Sequence, residues 1–332
     1  MFHTRAGDFK TALHYAKLGQ VLAGTVADAT AIALAHSGLG RSLHIMGDHS
    51  GARTALEASI QYWSNLPGTS DVYLGFDHHI LVSIGLARTL WLQGHPAQAA
   101  ERMRETIREV ERRDNMVFSL GFALFWAPGI FLWVGDLRSA EEYADRLISH
   151  GETNFRRHNV AVGRGYKGVL AILRGDASGG VKSLKGCLEQ LHAVRYELLN
   201  TEFKLALVQG LVATGQSDEA MTLINETIRL IEQNEDLLYM PEALRVKGNV
   251  LLSLSQRRPD DAEICFTQSL DWSRRQGARS WELRTAIDLA ALQAARGQGD
   301  RARAVLQPIF ETFEEGFDTA DLRAAENLLA ML

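Results

Sequence analysis

The sequence predicts an all-α protein, an α-solenoid of stacked antiparallel helical hairpins. Three features of the 332-residue chain predict this class: a turn signal that recurs about every forty residues, apolar residues at spacings of three or four between the signals, and almost no strand-like alternation. Because the pattern spans nearly the whole chain, we expect one solenoid domain over residues 1–332, with about eight units of which the first is incomplete.

The turn signal is a Gly, usually followed by a polar residue, with a small residue five positions after the Gly. It occurs first at Gly7 and last at Gly299, and in one copy Pro259 replaces the Gly as the helix breaker. The small residues are Ala12, Ala52, Ala99, Ala140, Gly180, Ala220, Ala262 and Ala304. Successive small residues lie 40 to 47 positions apart, and eight copies on so narrow a period indicate a structural repeat.

Each unit contains the residues that a helical hairpin needs. An apolar stretch such as Ile80–Leu92 has the periodicity of an amphipathic helix. The Gly ends that helix because it adopts the left-handed conformation without steric cost, and the following Asp or Ser can accept hydrogen bonds from the first amides of the next helix. A hairpin with one apolar face buries that face only against its neighbours, so stacking is predicted. Pro128 predicts a bend or local unwinding in one leading helix.

This pattern resembles the tetratricopeptide repeat, with helices longer than that repeat usually has. The segments Arg274–Glu282 and Glu315–Leu322, with Phe76–Gly94 and Pro241–Gly248, are similar to the C-terminal repeat region of bacterial multidomain signalling regulators. In that family an adenylate-cyclase-type or winged-helix output module and an ATPase precede the repeats. The resemblance implies a right-handed superhelix with a capping helix over residues 318–332. The chain contains no Gly-x-x-x-x-Gly-Lys-Ser/Thr motif, so the ATPase of the family is not part of it.

Composition excludes several other classes of protein. The formal net charge is −5, so we expect no direct nucleic-acid binding. Two cysteines in no close pair argue against a disulfide framework and fit a reducing compartment. Residues 1–10 contain no apolar signal region, and the apolar stretch Phe122–Gly135 is shorter than the roughly 18 residues that span a bilayer. We therefore expect a cytoplasmic protein without membrane contact.

Three motifs could carry chemistry, and each has a simpler structural interpretation. Gly163, Gly165 and Gly168 form a Gly-x-Gly-x-x-Gly, but they lie inside a predicted helix and not between a strand and a helix, so close packing is favoured over dinucleotide binding. The segment Asp77–His79 lacks a third converging zinc ligand, so Asp77 is interpreted as a helix cap. Cys187 occupies a position of small packed residues. The sequence therefore predicts no catalytic residue, no cofactor and no metal, and hence no enzyme.

Candidate binding residues follow from the resemblance, which implies that leading helices line a concave groove. In that family the exposed groove positions lie 18, 15, 11, 8 and 7 residues before each small residue. Applied to this chain, with a shift of two for the longer turn at Pro259, the rule selects Ser37, Arg41, His44, Arg88, Trp91, Phe122, Phe125, Trp133, Glu202, Gln209, Glu242, Arg245, Asn249, Gln293 and Arg296. For Phe122, Phe125 and Trp133, a place in the core is an equally good interpretation.

Two functions from different classes follow. The first is a protein–protein interaction scaffold or regulatory sensor module that binds a protein or peptide partner, including an ATPase or output domain, through the groove. Its aromatic and Arg residues are the types that carry most interface energy. The alternative is a sensor with a small-molecule ligand inside the superhelix. A closed apolar cavity lined by Trp91 and Phe125 would favour the sensor, whereas an open channel with a polar rim would favour the scaffold.

Overall fold

The computed structural model describes residues 2–26, 28–65, 72–73, 76–113 and 116–332. The helices are α1 (Phe2–Arg5), α2 (Phe9–Val26), α3 (Ala29–Ile45), α4 (His49–Ser64), α5 (His78–Leu92), α6 (Pro96–Arg112), α7 (Val117–Val134), α8 (Leu137–Thr153), α9 (Arg157–Leu173), α10 (Ala177–Ala193), α11 (Asn200–Ala213), α12 (Ser217–Asn234), α13 (Met240–Ser253), α14 (Pro259–Gln276), α15 (Arg279–Ala295), α16 (Gly299–Phe310) and α17 (Ala320–Met331).

Helices adjacent in the chain pack as hairpins, and each hairpin packs on the next, which confirms the predicted all-α solenoid. A short 3₁₀ helix, η1 (Leu237–Tyr239), precedes α13. The strands β1 (Val72–Tyr73) and β2 (Phe76–Asp77) pair antiparallel before α5 and form no further sheet among the described residues. The strands are too short to change the fold class.

The turns between paired helices have the predicted chemistry. The first six glycines of the repeat pattern, from Gly7 to Gly215, all have positive φ. The Asp48 carboxylate accepts a hydrogen bond from the Gly51 amide at 2.9 Å, and Asp136 caps α8 in the same way. Asp77 caps α5, as predicted. Pro128 lies inside α7, which nevertheless runs unbroken from Val117 to Val134, so the predicted unwinding is wrong.

The last unit differs from the predicted register. The Gly with positive φ is Gly297, whereas Gly299 is the first residue of α16. The small residue five positions after Gly297 is Ala302, which is fully buried, while Ala304 is exposed. The sequence offers two turn signals here, Gly297-Gln298 and Gly299-Asp300. Asp is the better helix cap by local chemistry, so the choice of Gly297 as the turn residue depends on packing. The register of this unit therefore shifts by two residues.

The superhelix winds tightly enough for distant units to touch. The Arg5 guanidinium donates to the Val194 carbonyl at 3.1 Å across 189 residues, and the Arg284 guanidinium donates to the Trp133 carbonyl at 2.9 Å across 151 residues. Three tryptophans pack together next to the Arg284–Trp133 contact and form a junction between distant units. The Trp91 ring centroid lies 4.7 Å from that of Trp133 and 4.8 Å from that of Trp281. The inner side of the central units is therefore packed protein.

Helix α7 forms the centre of the main core. It extends the apolar stretch of the sequence to 18 residues, so the prediction that this segment is too short to cross a membrane is wrong by length and composition. In the structure 67% of this apolar window is buried inside the protein. Its buried residues include Phe125, Ile130 and Phe131, which belong to the same apolar cluster as residues of α5, α9 and α11. This apolar cluster packs together the helices that surround an inner cavity.

Candidate functional site

A cavity of about 930 Å³ lies inside the N-terminal half of the superhelix. Its walls are formed by α2, α3, α5 and α7, and η1 and the start of α9 also contribute residues. Some of its lining residues, such as Tyr15, are exposed, so the cavity is open to solvent. The cavity is thus an inner space of the solenoid between the N-terminal helices and η1.

Helix α2 forms an apolar wall of the cavity. Residues that recur at three- and four-residue spacing face the cavity, from Phe9 through Tyr15 and Leu22 to Val26. Tyr15, Leu22 and Val26 are 57%, 55% and 69% exposed, although they face the inside of the superhelix. Large apolar side chains exposed together are typical of binding surfaces. This wall therefore offers apolar area that a ligand can bury.

Aromatic rings of α7 contribute a second wall. Phe122, Phe125 and Trp126 all line the cavity, and the Phe125 and Trp126 ring centroids lie 5.2 Å apart in an edge-on arrangement. Phe125 is 1% exposed, so it contributes mainly through packing. Tyr196 packs on Phe125 at a centroid distance of 5.4 Å and extends the wall to the loop before α11. Aromatic residues in this position favour a ligand with apolar bulk.

The polar floor of the cavity is built around Arg88 on α5. Its Nη2 group donates to the Tyr239 hydroxyl at 3.0 Å, and that hydroxyl donates to Glu202 Oε2 at 2.7 Å. The guanidinium also stacks on Trp126 and Trp133 at 4.5 and 4.3 Å. Burial opposes the charge of Arg88, but the Tyr239 oxygen and the Glu202 carboxylate hold its pKa above the usual value. Arg88 is therefore a structural cation paired with the Glu202 carboxylate, although its buried Nη1 group donates no hydrogen bond within the described residues.

His44 on α3 completes this network as a neutral ring. The Thr89 hydroxyl donates to the Gly85 carbonyl, so it accepts from Nδ1 of His44, 3.0 Å away. Nε2 of His44 then carries the lone pair and accepts from Nε of Arg88 at 3.4 Å. Burial, with a smaller contribution from the Arg88 charge, lowers the pKa of His44 well below its usual value. The ring therefore keeps this tautomer at neutral pH.

The two carboxyl groups near the floor both resist ionisation. Burial raises the pKa of Glu202, against the opposing effect of the Arg88 charge. Burial also raises the pKa of Asp236 to about 7, although the Thr201 hydroxyl donates to Asp236 Oδ2 at 2.6 Å. Asp236 lines the cavity directly. The charge of the cavity therefore changes near neutral pH.

Arg41 is an arginine of the cavity wall with neither a carboxylate nor an aromatic ring as a partner among the described residues. It lies one turn before His44 on α3 and lines the cavity, and its only hydrogen bond is from Nε to the Ser37 carbonyl at 3.2 Å. In the part of the chain that the structure describes, no carboxylate is placed to pair with it. Burial lowers its pKa to about 10, which still leaves it charged at neutral pH. Both Nη groups of Arg41 remain available to a ligand.

The structure brings five of the predicted groove residues to the cavity: Arg41, His44, Arg88, Phe122 and Phe125. Glu202 lies behind the floor, where it binds Tyr239. The prediction that the groove positions are exposed is wrong for the following residues, which are buried: Ser37, His44, Arg88, Trp91, Glu242 and Gln293. Phe125 and Trp133 are also buried, which agrees with the alternative interpretation that they lie in the core. The prediction from the resemblance assumed an open groove, whereas in this superhelix the inner surfaces of distant units pack against each other.

The predicted polar residues of the C-terminal units are engaged inside the protein. Arg245 binds both oxygens of Glu242, at 2.6 and 2.7 Å, and its Nη1 group donates to Asp288 at 2.6 Å. The Asn249 amide donates to the same Asp288 oxygen at 2.8 Å. Burial would raise the pKa of Glu242, but the Arg245 charge holds it below its usual value. This network joins α13 to α15.

The remaining predicted residues also lie away from the cavity. Arg296 pairs with Asp260 and Glu263 on α14, with contacts of 2.7 Å to each. Gln293 donates to Glu263 at 3.5 Å, and Gln209 on α11 is half-buried. The two-residue register shift of the last unit explains why the rule chose Gln293 and Arg296. That any of the predicted residues binds a partner stays a prediction.

Sequence reasoning missed the α2 wall and the residues Trp126, Asp236 and Tyr239. The incomplete first unit was given no groove positions, although its apolar residues recur from Ala12 to Val26 at helical spacing. Tyr239 lies in η1 and Asp236 lies directly before it. Both are outside the repeat, so no periodic signal could have identified them.

The motifs with alternative chemical interpretations are structural. Gly163, Gly165 and Gly168 lie within α9, and a Cβ added at Gly163 would approach the Ala144 carbonyl oxygen to 3.0 Å. Burial raises the pKa of the Cys187 thiol to about 12. Among the described residues, no group of three or more His, Cys, Asp or Glu side chains is arranged to hold a metal ion.

The fold and repeats define the class: the chain is an α-solenoid that carries tetratricopeptide repeats. The family model described as Tetratricopeptide repeat matches residues 33–58, 81–105 and 283–308, and no curated protein matches the chain.

Solved structures with a similar fold include Rap proteins. The Rap conjugation gene regulator of the plasmid pLS20, in complex with the Phr* peptide, is 12% identical with a TM-score of 0.61 over 90% of this chain and 76% of that one. The apo form of RapI is 9% identical with a TM-score of 0.53 over 90% of this chain and 99% of that one. Aspartyl phosphate phosphatase F from Bacillus subtilis is 12% identical with a TM-score of 0.54 over 91% and 75%. At these identities the likeness shows the shared fold.

Proposed function

We infer that this chain is a regulatory interaction module of a cytoplasmic bacterial signalling protein, and that it binds a peptide segment of its partner in the inner cavity. The observation that carries this proposal is the cavity itself: about 930 Å³, with exposed apolar residues of α2 on one side and aromatic rings of α7 on the other. Helical-repeat solenoids typically use such inner surfaces for binding.

The likeness to a Rap regulator solved with a bound peptide supports the same class of ligand. A tetratricopeptide fold is typically a binding scaffold and not a catalyst, which supports a binding role for this chain. The partner that responds to the bound state would be a protein such as an ATPase or output domain, as the sequence resemblance implies.

A small-molecule sensor is the second candidate, and one observation favours it. The cavity volume falls within the range of roughly 300–1,000 Å³ that is typical of small-molecule sites, and its lining is mainly apolar. Of the two residues that would favour a sensor, Phe125 lines the cavity and Trp91 does not.

A pair of glycine variants tests whether the cavity is the binding site. Gly38 on α3 lines the cavity and Gly186 on α10 does not, and a Cβ at either would meet nothing within 4 Å. Gly38→Leu therefore adds a side chain to the cavity wall without a clash at its Cβ, and Gly186→Leu is its matched control. Peptides selected from a random library on the purified chain would be measured by calorimetry against both variants.

We expect the selected peptides to bind the unmodified chain and Gly186→Leu equally and to lose at least tenfold in affinity at Gly38→Leu. Equal binding to all three proteins would place the site elsewhere and contradict the proposal. A library that yields no binding peptide would also count against it, and would leave the sensor as the better hypothesis.

A further inference from the structure

The cavity has a charge opposite to that of the whole protein. The chain has a formal net charge of −5, yet among the described residues that line the cavity there are four arginines and a single carboxyl group, Asp236. Three histidines also line it. A cavity whose charge opposes the net charge of its protein selects an anionic ligand by complementarity.

The four arginines are not equivalent. Arg88 donates from Nη2 to Tyr239, and its Nη1 group, which makes no hydrogen bond within the described residues, lies 3.9 Å from the Glu202 carboxylate that balances its charge. Arg5 donates to a backbone carbonyl on an exposed stretch of the chain, and Arg156 stacks on the Phe118 ring at 4.2 Å. Arg41 and Arg156 both have Nη groups that donate to no acceptor from the described part of the protein, but Arg41 also lacks an aromatic ring to stack on.

The neighbours of Arg41 cannot neutralise it. His44, one turn further along α3, is held as a neutral ring by Thr89 and Arg88. A partly desolvated cation without a counterion costs free energy, and a bound anion removes that cost. A guanidinium is also suited to a planar carboxylate, which it can bind through two parallel hydrogen bonds.

The remainder of the cavity is suited to an apolar chain. The α2 wall presents Tyr15, Leu22 and Val26 to solvent, and α7 presents Phe122 and Trp126. We propose that the cavity takes an apolar chain that ends in a carboxylate, and that the Arg41 guanidinium binds this carboxylate. The inference rests on the proposed function, because it assumes that the cavity is the binding site. Its chemistry is shared by the free C-terminus of an apolar peptide and by a fatty acid.

The test compares charged and neutral probes of equal length. Dodecanoate and dodecanol are one pair, and an apolar tetrapeptide with a free C-terminal carboxylate and its C-terminal amide are the other. Each is measured by calorimetry against the unmodified chain and against Arg41→Gln. Arg229→Gln is the matched control, because Arg229 is an exposed arginine on α12, away from the cavity.

We expect at least one carboxylate probe to bind more tightly than its neutral counterpart. Arg41→Gln should weaken that carboxylate by tenfold to a hundredfold, the usual range for a lost hydrogen bond to a charged group, and leave the neutral probe unchanged. Arg229→Gln should behave as the unmodified chain. The pair that shows the effect identifies the source of the carboxylate. Arg41→Gln should keep its thermal midpoint, since no carboxylate of the described protein depends on Arg41.

Equal affinity for charged and neutral probes, or a carboxylate that binds Arg41→Gln as well as the unmodified chain, would overturn the inference. The cavity-filling variant Gly38→Leu separates this failure from a failure of the proposed function. If Gly38→Leu abolishes binding while Arg41→Gln does not, the cavity is the site and only the anchor is wrong. If Gly38→Leu has no effect, both are wrong.

Discussion

The Arg88 guanidinium donates a hydrogen bond to the Tyr239 hydroxyl at 3.0 Å, although the two residues are 151 positions apart in the chain. The contact joins α5, in the N-terminal half, to η1. The Tyr239 hydroxyl in turn donates a hydrogen bond to Glu202 on α11. The floor of the cavity is therefore also a contact between distant units of the solenoid.

Tyr239→Phe should destabilise the protein by about 1–3 kcal/mol, since it leaves a buried donor of Arg88 and a buried oxygen of Glu202 without this partner. Urea unfolding followed by circular dichroism measures the change. Tyr62→Phe is the control, because Tyr62 is exposed and stacks on His36 through its ring. If both variants unfold at the same urea concentration, the hydroxyl network contributes little.

Asp236→Asn should change how stability depends on pH. The pKa of Asp236 is about 7 in the folded protein and ordinarily near 3.8, so the folded state resists ionisation and loses stability as the pH rises from about 4 to 7. Asn cannot ionise, and it can still accept from Thr201. The variant should match the unmodified protein near pH 4 and be more stable at pH 8 by roughly 2–4 kcal/mol.

The groups that face Asp236 are the Thr201 hydroxyl and the charges of Arg88 and Glu202, and all three remain in the variant. Unfolding free energies of both proteins across this pH range provide the measurement, with Asp300→Asn as an exposed control. A stability difference that stays constant with pH would show that Asp236 ionises normally.

Trp281→Leu should weaken the junction between distant units. Trp281 is 2% exposed and contacts the rings of Trp91 and Trp133, so a smaller side chain leaves a void that costs roughly 2–4 kcal/mol. Trp272→Leu is the control, because Trp272 is half-buried and stacks on Arg275. Small-angle X-ray scattering should also show a larger radius of gyration for Trp281→Leu alone, whereas an unchanged radius would mean that the junction does not close the superhelix.

Two glycines separated by one residue test the register of the last unit. Gly297 has a φ of +74° and Gly299 begins α16. Gly297→Ala should cost about 1–2 kcal/mol, because Ala is strained in the left-handed region, whereas Gly299→Ala should be neutral or stabilising by up to about 1 kcal/mol. Thermal unfolding compares them directly, and a reversed order would restore the register predicted from Gly299.

The sequence by itself determined the helices, the turns and their period. Gly47 and Asp48 end one helix and cap the next through contacts within a few residues, so a local pattern is enough to specify them. The same is true of the small residues of the middle units, from Ala52 to Ala262, and of Cys187, whose burial follows from its place in the repeat.

Only the tertiary structure decided which inner residues are exposed. The curvature of a solenoid is the sum of small rotations between successive hairpins, and no local period encodes that sum. It brings Trp281 onto Trp91 and so buries positions that an open groove would expose, and it leaves Arg41 on the wall of a cavity without a carboxylate partner among the described residues. The resemblance to an open repeat array therefore predicted the helices and turns correctly. It predicted the exposure of the inner residues incorrectly, because that exposure depends on the summed curvature of the solenoid.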